Sequence, residues 1–166
     1  MEQVTINKAI RLSEHITLGE VTKSSHTEIN NIPSHVAIEN LKRVCVWLED
    51  LRFTYNSLYC LKPGEDYETS KNVEPIIINS GYRSPELNKK VGGAPTSNHL
   101  TGCAVDIHVA GIEQAMRYAV ILMDYADETK QDFDELLIER NSKGHYWVHF
   151  AVRPKDNRRK TMMIQT

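Results

Sequence analysis

Between Cys103 and Val109 the chain alternates: Cys103, Val105, Ile107 and Val109 fall on one side of an extended backbone, and Ala104, Asp106 and His108 on the other. That pattern predicts a half-buried strand with one face in a core and the other free to carry chemistry. Two further strands, Glu135 to Arg140 and His145 to Val152, flank Asn141-Ser-Lys-Gly144, which reads as a hairpin turn. Upstream, Glu74 to Asn79 is an apolar run of strand length that stops at Ser80-Gly81.

Helical spacing appears in two long stretches. Ile38, Leu41, Val44, Cys45, Leu48, Leu51 and Tyr55 recur at three and four residues, predicting a helix from Ser34 to Tyr55 that Pro33 and Ser34 open and Lys62-Pro63-Gly64 follows as a loop. Ile112, Ala115, Met116, Ala119, Val120 and Met123 give the second, and the acidic stretch Asp124 to Asp134 reads as its solvated end and a loop. A short helix is expected from Ser84-Pro85 to Gly92-Gly93. Strands and helices in mixed order, with a late hairpin and no internal repeat, point to an α+β single domain with a small antiparallel sheet and helices packed on it.

The length of 166 residues suits one core, and 40% hydrophobic with 25% charged residues excludes a disordered tail, a collagen-like rod or a coiled coil as the main class. A formal net charge of −2 offers no global attraction to phosphate backbones, so no nucleic-acid partner is expected. Cys45, Cys60 and Cys103 are odd in number and lack CxxC pairing, which argues for reduced thiols over a disulfide framework or a thiolate zinc knuckle. No stretch approaches the roughly 20 apolar residues of a bilayer span, and the first residues lack the apolar region of a signal peptide. No membrane insertion is expected, and the expected assembly is a monomer made in the cytoplasm.

The densest polar constellation is Ser97-Asn-His99-Leu-Thr-Gly102-Cys-Ala-Val-Asp106, followed later by Trp147-Val-His149. Two imidazoles and one carboxylate form a metal set, and three N/O ligands with an open fourth position are typical of hydrolytic zinc. Gly102 allows the turn between a loop histidine and the strand that carries Asp106. With seven histidines in the chain, a chance trio remains open on spacing alone.

At these residues the chain resembles the zinc peptidases of bacterial cell walls, a family that includes D-Ala-D-Ala carboxypeptidases, D,D-dipeptidases and phage endolysin peptidases. Ser80-Gly-Tyr-Arg83-Ser-Pro-Glu-Leu-Asn88, Val91-Gly-Gly-Ala94, Ser97-Asn-His99-Leu-Thr-Gly102-Cys-Ala104-Val-Asp106 and Trp147-Val-His149 stand in the family's order. Thr17-Leu-Gly-Glu20 and Asn31-Ile-Pro33 are similar to the branch found in phages and gut bacteria, so the resemblance spans roughly residues 16 to 152. It implies a hedgehog-like D,D-peptidase fold with the zinc site at the sheet face, an N-terminal extension over 1–15 and a basic C-terminal tail over 153–166.

The resemblance further implies that His99, Asp106 and His149 bind Zn²⁺ and that Arg83 holds a substrate carboxylate or peptide carbonyl, a task suited to a planar guanidinium fork. Ser97 either hydrogen-bonds substrate or orders the metal loop. Many members place a glutamate or histidine three residues before the last ligand; here Tyr146 stands there. Glu139 and His145 are the candidate bases. A three-residue hairpin loop, Ser142 to Gly144, turns Glu139 to the side of Trp147 and His149, whereas a slip of one residue favours His145. His108 shares the face of Asp106 and reads as a structural histidine or a neighbour of the ligands. Arg153 to Lys160, rich in arginine and lysine, reads as a solvated terminus.

The implied function is a zinc peptidase that hydrolyses amides in peptidoglycan stem or cross-bridge peptides by metal-activated water, reaching the wall after phage lysis or through a holin-like partner. Carboxypeptidase and endopeptidase action both remain open. One rival is a non-catalytic metal-containing cell-wall-binding or structural module. The other is a non-haem iron oxygenase, which the reversed order of Asp106-Ile-His108 disfavours.

Overall fold

Residues 6–166 are described by a computed structural model; the expected extension over 1–15 therefore lies partly outside the described residues. Five strands form one sheet in the order β1-β2-β4-β3-β5: β1 Ile78–Ser80, β2 Ala104–His108, β3 Glu135–Arg140, β4 Tyr146–Ala151 and β5 Lys160–Gln165. All neighbours run antiparallel except β3 and β5. Four helices accompany the sheet: α1 Leu18–Thr22, α2 His35–Tyr59, α3 Pro85–Lys90 and α4 Ile112–Thr129. The α+β, single-domain reading holds.

The alternation in β2 sorts the two faces as expected. Val105 and Ile107 join Leu136, Ile138, Val148 and Phe150 on a fully packed face that receives α2 and α4. In α2, Ser34 caps the first turn by accepting from Ala37 N, and Leu41, Val44, Cys45, Leu48 and Leu51 are buried. Trp47, outside the stripe read from spacing, is buried too, its ring centroid 4.8 Å from that of Tyr125 and 5.4 Å from that of Phe150.

Three elements differ from expectation. The stripe of α4 is rotated: Tyr118, Ile121, Leu122 and Ala126 are buried with Ala115 and Ala119, while Met116 and Val120 face outward. Apolar residues surround this helix, so spacing alone admits more than one inward face. The strand expected from Glu74 begins only at Ile78. Pro75 has no N–H to donate, and the Asn56 side chain takes both the N–H and the carbonyl of Glu74.

The third difference is the C-terminal segment. It is not a solvated tail: β5 pairs along the whole of β3, and the basic residues before it close on acids. Asp134, wholly buried, accepts from Arg158 Nη2 at 2.7 Å and Arg158 Nε at 2.9 Å, from Arg153 Nη1 at 3.3 Å and from Asn98 Nδ2 at 2.7 Å. A charge run looks solvated when its buried partner lies elsewhere in the chain. Burial pushes the Asp134 carboxyl up, but the hydrogen bonds from Arg158 and Asn98 outweigh it and hold it at about 2.

Because this carboxyl titrates below its ordinary value of 3.8, the stabilisation is present above that pH and is lost as pH falls through about 2. Asp134→Asn is therefore expected to cost about 2 kcal/mol of unfolding free energy near neutrality, with the deficit shrinking in acid. Urea unfolding of wild type and variant at both pH values checks this. A deficit that does not change with pH would contradict the ion-pair origin.

Candidate functional site

The polar face of the sheet follows from register. Asp106 in β2 pairs with His149 in β4, which pairs with Leu137 in β3; the next row holds His108, Trp147 and Glu139. Residues directly opposite one another point to the same side, so Asp106, His149, His108, Trp147 and Glu139 share one face. The Asn141 N–H donates to the His145 carbonyl at 3.0 Å, and Gly144 takes φ +83°, so Ser142 to Gly144 make the three-residue loop. Tyr146 points to the other side and packs against the core. It is off the site face altogether.

His99 comes from outside the sheet, on a 3-10 turn spanning Asn98–Thr101. Ser97 caps this turn, its Oγ accepting from His99 N at 3.3 Å, which supports the loop-ordering role for that serine. Gly102 ends the turn at φ +73°, where an added Cβ would lie 2.4 Å from the Ala37 carbonyl oxygen in α2. Asn40 of the same helix donates to the Thr101 carbonyl at 2.9 Å. The loop is thus clasped to α2, and His99 is almost fully buried.

Each histidine presents a defined nitrogen. His99 Nδ1 lies 2.6 Å from the Gly81 carbonyl oxygen, leaving Nε2 toward Asp106 Oδ2 at 3.3 Å. His149 Nδ1 lies 2.9 Å from Asp106 Oδ1 and its Nε2 lies 3.3 Å from Glu135 Oε2. Gly81 must be a glycine for its carbonyl to stand there, since a Cβ would meet the Val21 carbonyl oxygen at 2.3 Å. The upstream segment takes part as well: Asn31 donates to the carbonyls of Thr22 and Tyr82 and accepts from Ser84 N, fastening the loop that carries Arg83.

One potential ligand atom each from His99, Asp106 and His149 lies within 4.8 Å of the others, and this is the group among the described residues that could hold a metal ion. Two imidazole nitrogens and one carboxylate oxygen, with the far ring nitrogen of His99 already donated to a carbonyl, fit an open zinc site. His108 stays outside this group; it is exposed and pairs across the sheet with Trp147. Burial opposes ionisation of Asp106, but the charge of His99 and hydrogen bonds from both histidines hold its carboxyl well below the usual range. Burial likewise pulls His149 down, yet hydrogen bonds to Asp106 and Glu135 raise it to about 9.

Arg83 borders the group. Its Nη2 donates to Asp106 Oδ2 at 2.6 Å and its Nε to Ser80 Oγ at 2.9 Å. Glu139 sits diagonally from His149, about 7–8 Å away by sheet geometry and within reach of a long side chain. Burial pushes the Glu139 carboxyl up; His149 and Arg83 oppose this and the charges of Asp106 and Glu135 add to it. The sum makes a more basic carboxylate than an exposed glutamate. His145 is exposed at the hairpin, four strand positions or about 13 Å from His149. It lines an open cleft of about 700 Å³ with His108, Trp147 and Asn79.

Glu135 was not singled out by the motifs, yet it touches a site histidine directly. The hydrogen bond from His149, with burial opposing, holds its carboxyl at about 2, and Asn98 and Arg158 contribute in the same direction. Its position two residues from Leu137 on the β3 alternation was the available signal.

Residues 65–145 match the family model described as Peptidase M15. This stretch holds Arg83, Ser97, His99, Asp106, Glu139 and His145 and ends four residues before His149. A search of the curated proteins finds no match. The family named by the motifs and the family named by the match are the same, and the match supports a metallopeptidase in general. Among the described residues, no helix is long and apolar enough to cross a membrane.

Proposed function

We propose that this chain of the Peptidase M15 family is a zinc-dependent peptidase that hydrolyses amide bonds in the stem or cross-bridge peptides of peptidoglycan. The observation that carries the reading is the buried His99–Asp106–His149 group on a sheet face that it shares with Glu139 and borders with Arg83. Zinc held by those three side chains supplies Lewis acidity, polarising a carbonyl and making water a stronger acid. Glu139 takes a proton from the attacking water and returns it to the leaving amine nitrogen, a role favoured by its raised basicity and its place on the site face. Arg83 turns its fork from Asp106 toward a carboxylate or carbonyl of the peptide.

No side-chain nucleophile is required. Burial pushes the Cys45 thiol up to about 12 and also raises that of Cys103, so neither offers a thiolate at neutral pH. The open cleft lined by Trp147, His108 and His145 adjoins Glu139 through Trp147, its cross-strand neighbour. His145 belongs to that wall, and Glu139 is the better placed base.

Mass spectrometry of the products released from purified sacculi by the zinc-loaded chain tests the proposal. Soluble peptides with new amino termini, or stems shortened by one residue, are expected. Intact sacculi, or glycan fragments with uncut stems, would refute it. On the same substrate Arg83→Lys is expected to lower kcat/KM by about tenfold or more while melting temperature and zinc content stay near wild type, because an ammonium keeps the charge but loses the bidentate fork. Unaltered kcat/KM would reduce Arg83 to a partner of Asp106 alone.

A further inference from the structure

Glu135 stands where the two histidine-bearing segments meet. Its Oε2 lies 3.3 Å from His149 Nε2 and also accepts from Asn98 Nδ2 at 3.1 Å. Asn98 is the residue immediately before His99 and opens the 3-10 turn that delivers it. The other oxygen, Oε1, is held from the C-terminal side by Arg158 at 3.0 Å and Lys160 at 3.5 Å. One carboxylate therefore joins β4, the metal loop and the segment leading into β5, with its side chain largely buried.

A histidine can offer a metal one ring nitrogen only when the other carries the proton and has somewhere to donate it. His99 satisfies this through the Gly81 carbonyl. For His149 the group facing the corresponding nitrogen is the Glu135 carboxylate, 3.3 Å from Nε2, and its placement on the far side of the ring leaves Nδ1 facing Asp106. We propose that Glu135 is a positioning residue: it fixes the His149 ring so that Nδ1 is the ligand atom, and through Asn98 it sets the turn of His99 on the same oxygen. Arg158 and Lys160 restrain the carboxylate in turn, which gives the C-terminal segment a share in shaping the metal group. This inference rests on the zinc reading and deepens it.

Zinc affinity, measured by chelator competition on the full chain, is the readout, with melting temperature of the metal-free protein alongside. Glu135→Ala is expected to weaken zinc binding about 10- to 100-fold with the metal-free melting temperature near wild type. Glu135→Gln, which keeps an oxygen for the Nε2 proton, is expected to recover most of that loss. In zinc-loaded wild type, nitrogen NMR of His149 is expected to show the proton on Nε2 and the metal on Nδ1, a result that needs no variant to fold. Wild-type affinity in Glu135→Ala, a loss seen only with collapse of the metal-free fold, or zinc on Nε2 would each overturn the proposal. Hydrolysis is not the readout, so a chain that binds zinc in this way but cuts no peptide would sink the peptidase reading alone.

Discussion

His99→Ala, Asp106→Ala and His149→Ala are each expected to strip zinc from the purified chain and bring hydrolysis below detection. Three protein ligands are the minimum for a hydrolytic zinc site, and removing one leaves two donors and a gap that water fills without fixing the geometry. Asp106 is the most exposed to this loss, because its two oxygens face different histidines and Arg83 presses on one of them. Without the carboxylate, a guanidinium and two imidazoles would crowd one buried space with the Glu135 carboxylate on the far side of the His149 ring and no anion between them. Cys103→Ser and His108→Ala are the controls: both flank the ligands in sequence, neither belongs to the ligand group, and both are expected to keep full zinc content. Metal analysis of the five variants after dialysis separates the outcomes. Full zinc in His149→Ala would remove that residue from the set, and its loss in His108→Ala would add one.

Glu139→Gln is the second large effect. A positioned general base contributes roughly 10²–10⁴-fold, so kcat should fall by about that factor with zinc content and melting temperature near wild type. Glutamine keeps the shape and loses the basicity. His145→Ala, on an exposed hairpin residue about 13 Å from His149, is expected to change kcat less than about threefold. Single-turnover rates on a defined muropeptide distinguish the two. If His145→Ala carried the loss, proton transfer would run from the cleft wall and the face shared by Glu139 and His149 would not be the reacting one.

What could be read before the structure was set by local rules. Alternation in β2 sorted core from polar face, and Gly144 with the two flanking runs marked the hairpin but left two registers one residue apart, between which the pairing of Asn141 with His145 decides. Ser34 and Ser84 marked two helix starts for equally local reasons. The elements that escaped depend on partners distant in sequence. Arg158 reads as solvated until Asp134 is seen buried beneath it, and β5 has no inward face to declare itself, being an edge strand with Met162 and Met163 exposed. The α4 stripe was ambiguous because Met116 and Val120 are as apolar as their buried neighbours. Glu135 escaped for a related reason: its importance lies in a contact to His149 across strands, and the alternation that sets it on the face of Glu139 does not by itself distinguish it from a surface acid.

The most direct test of a zinc peptidase built on His99, Asp106 and His149 is turnover as a function of zinc added back to chelator-stripped protein. Hydrolysis of purified peptidoglycan should be absent at the start, rise linearly and break at one zinc per chain. Turnover indifferent to the chelator, or absent at every loading in a chain that has taken up its zinc, would contradict the account.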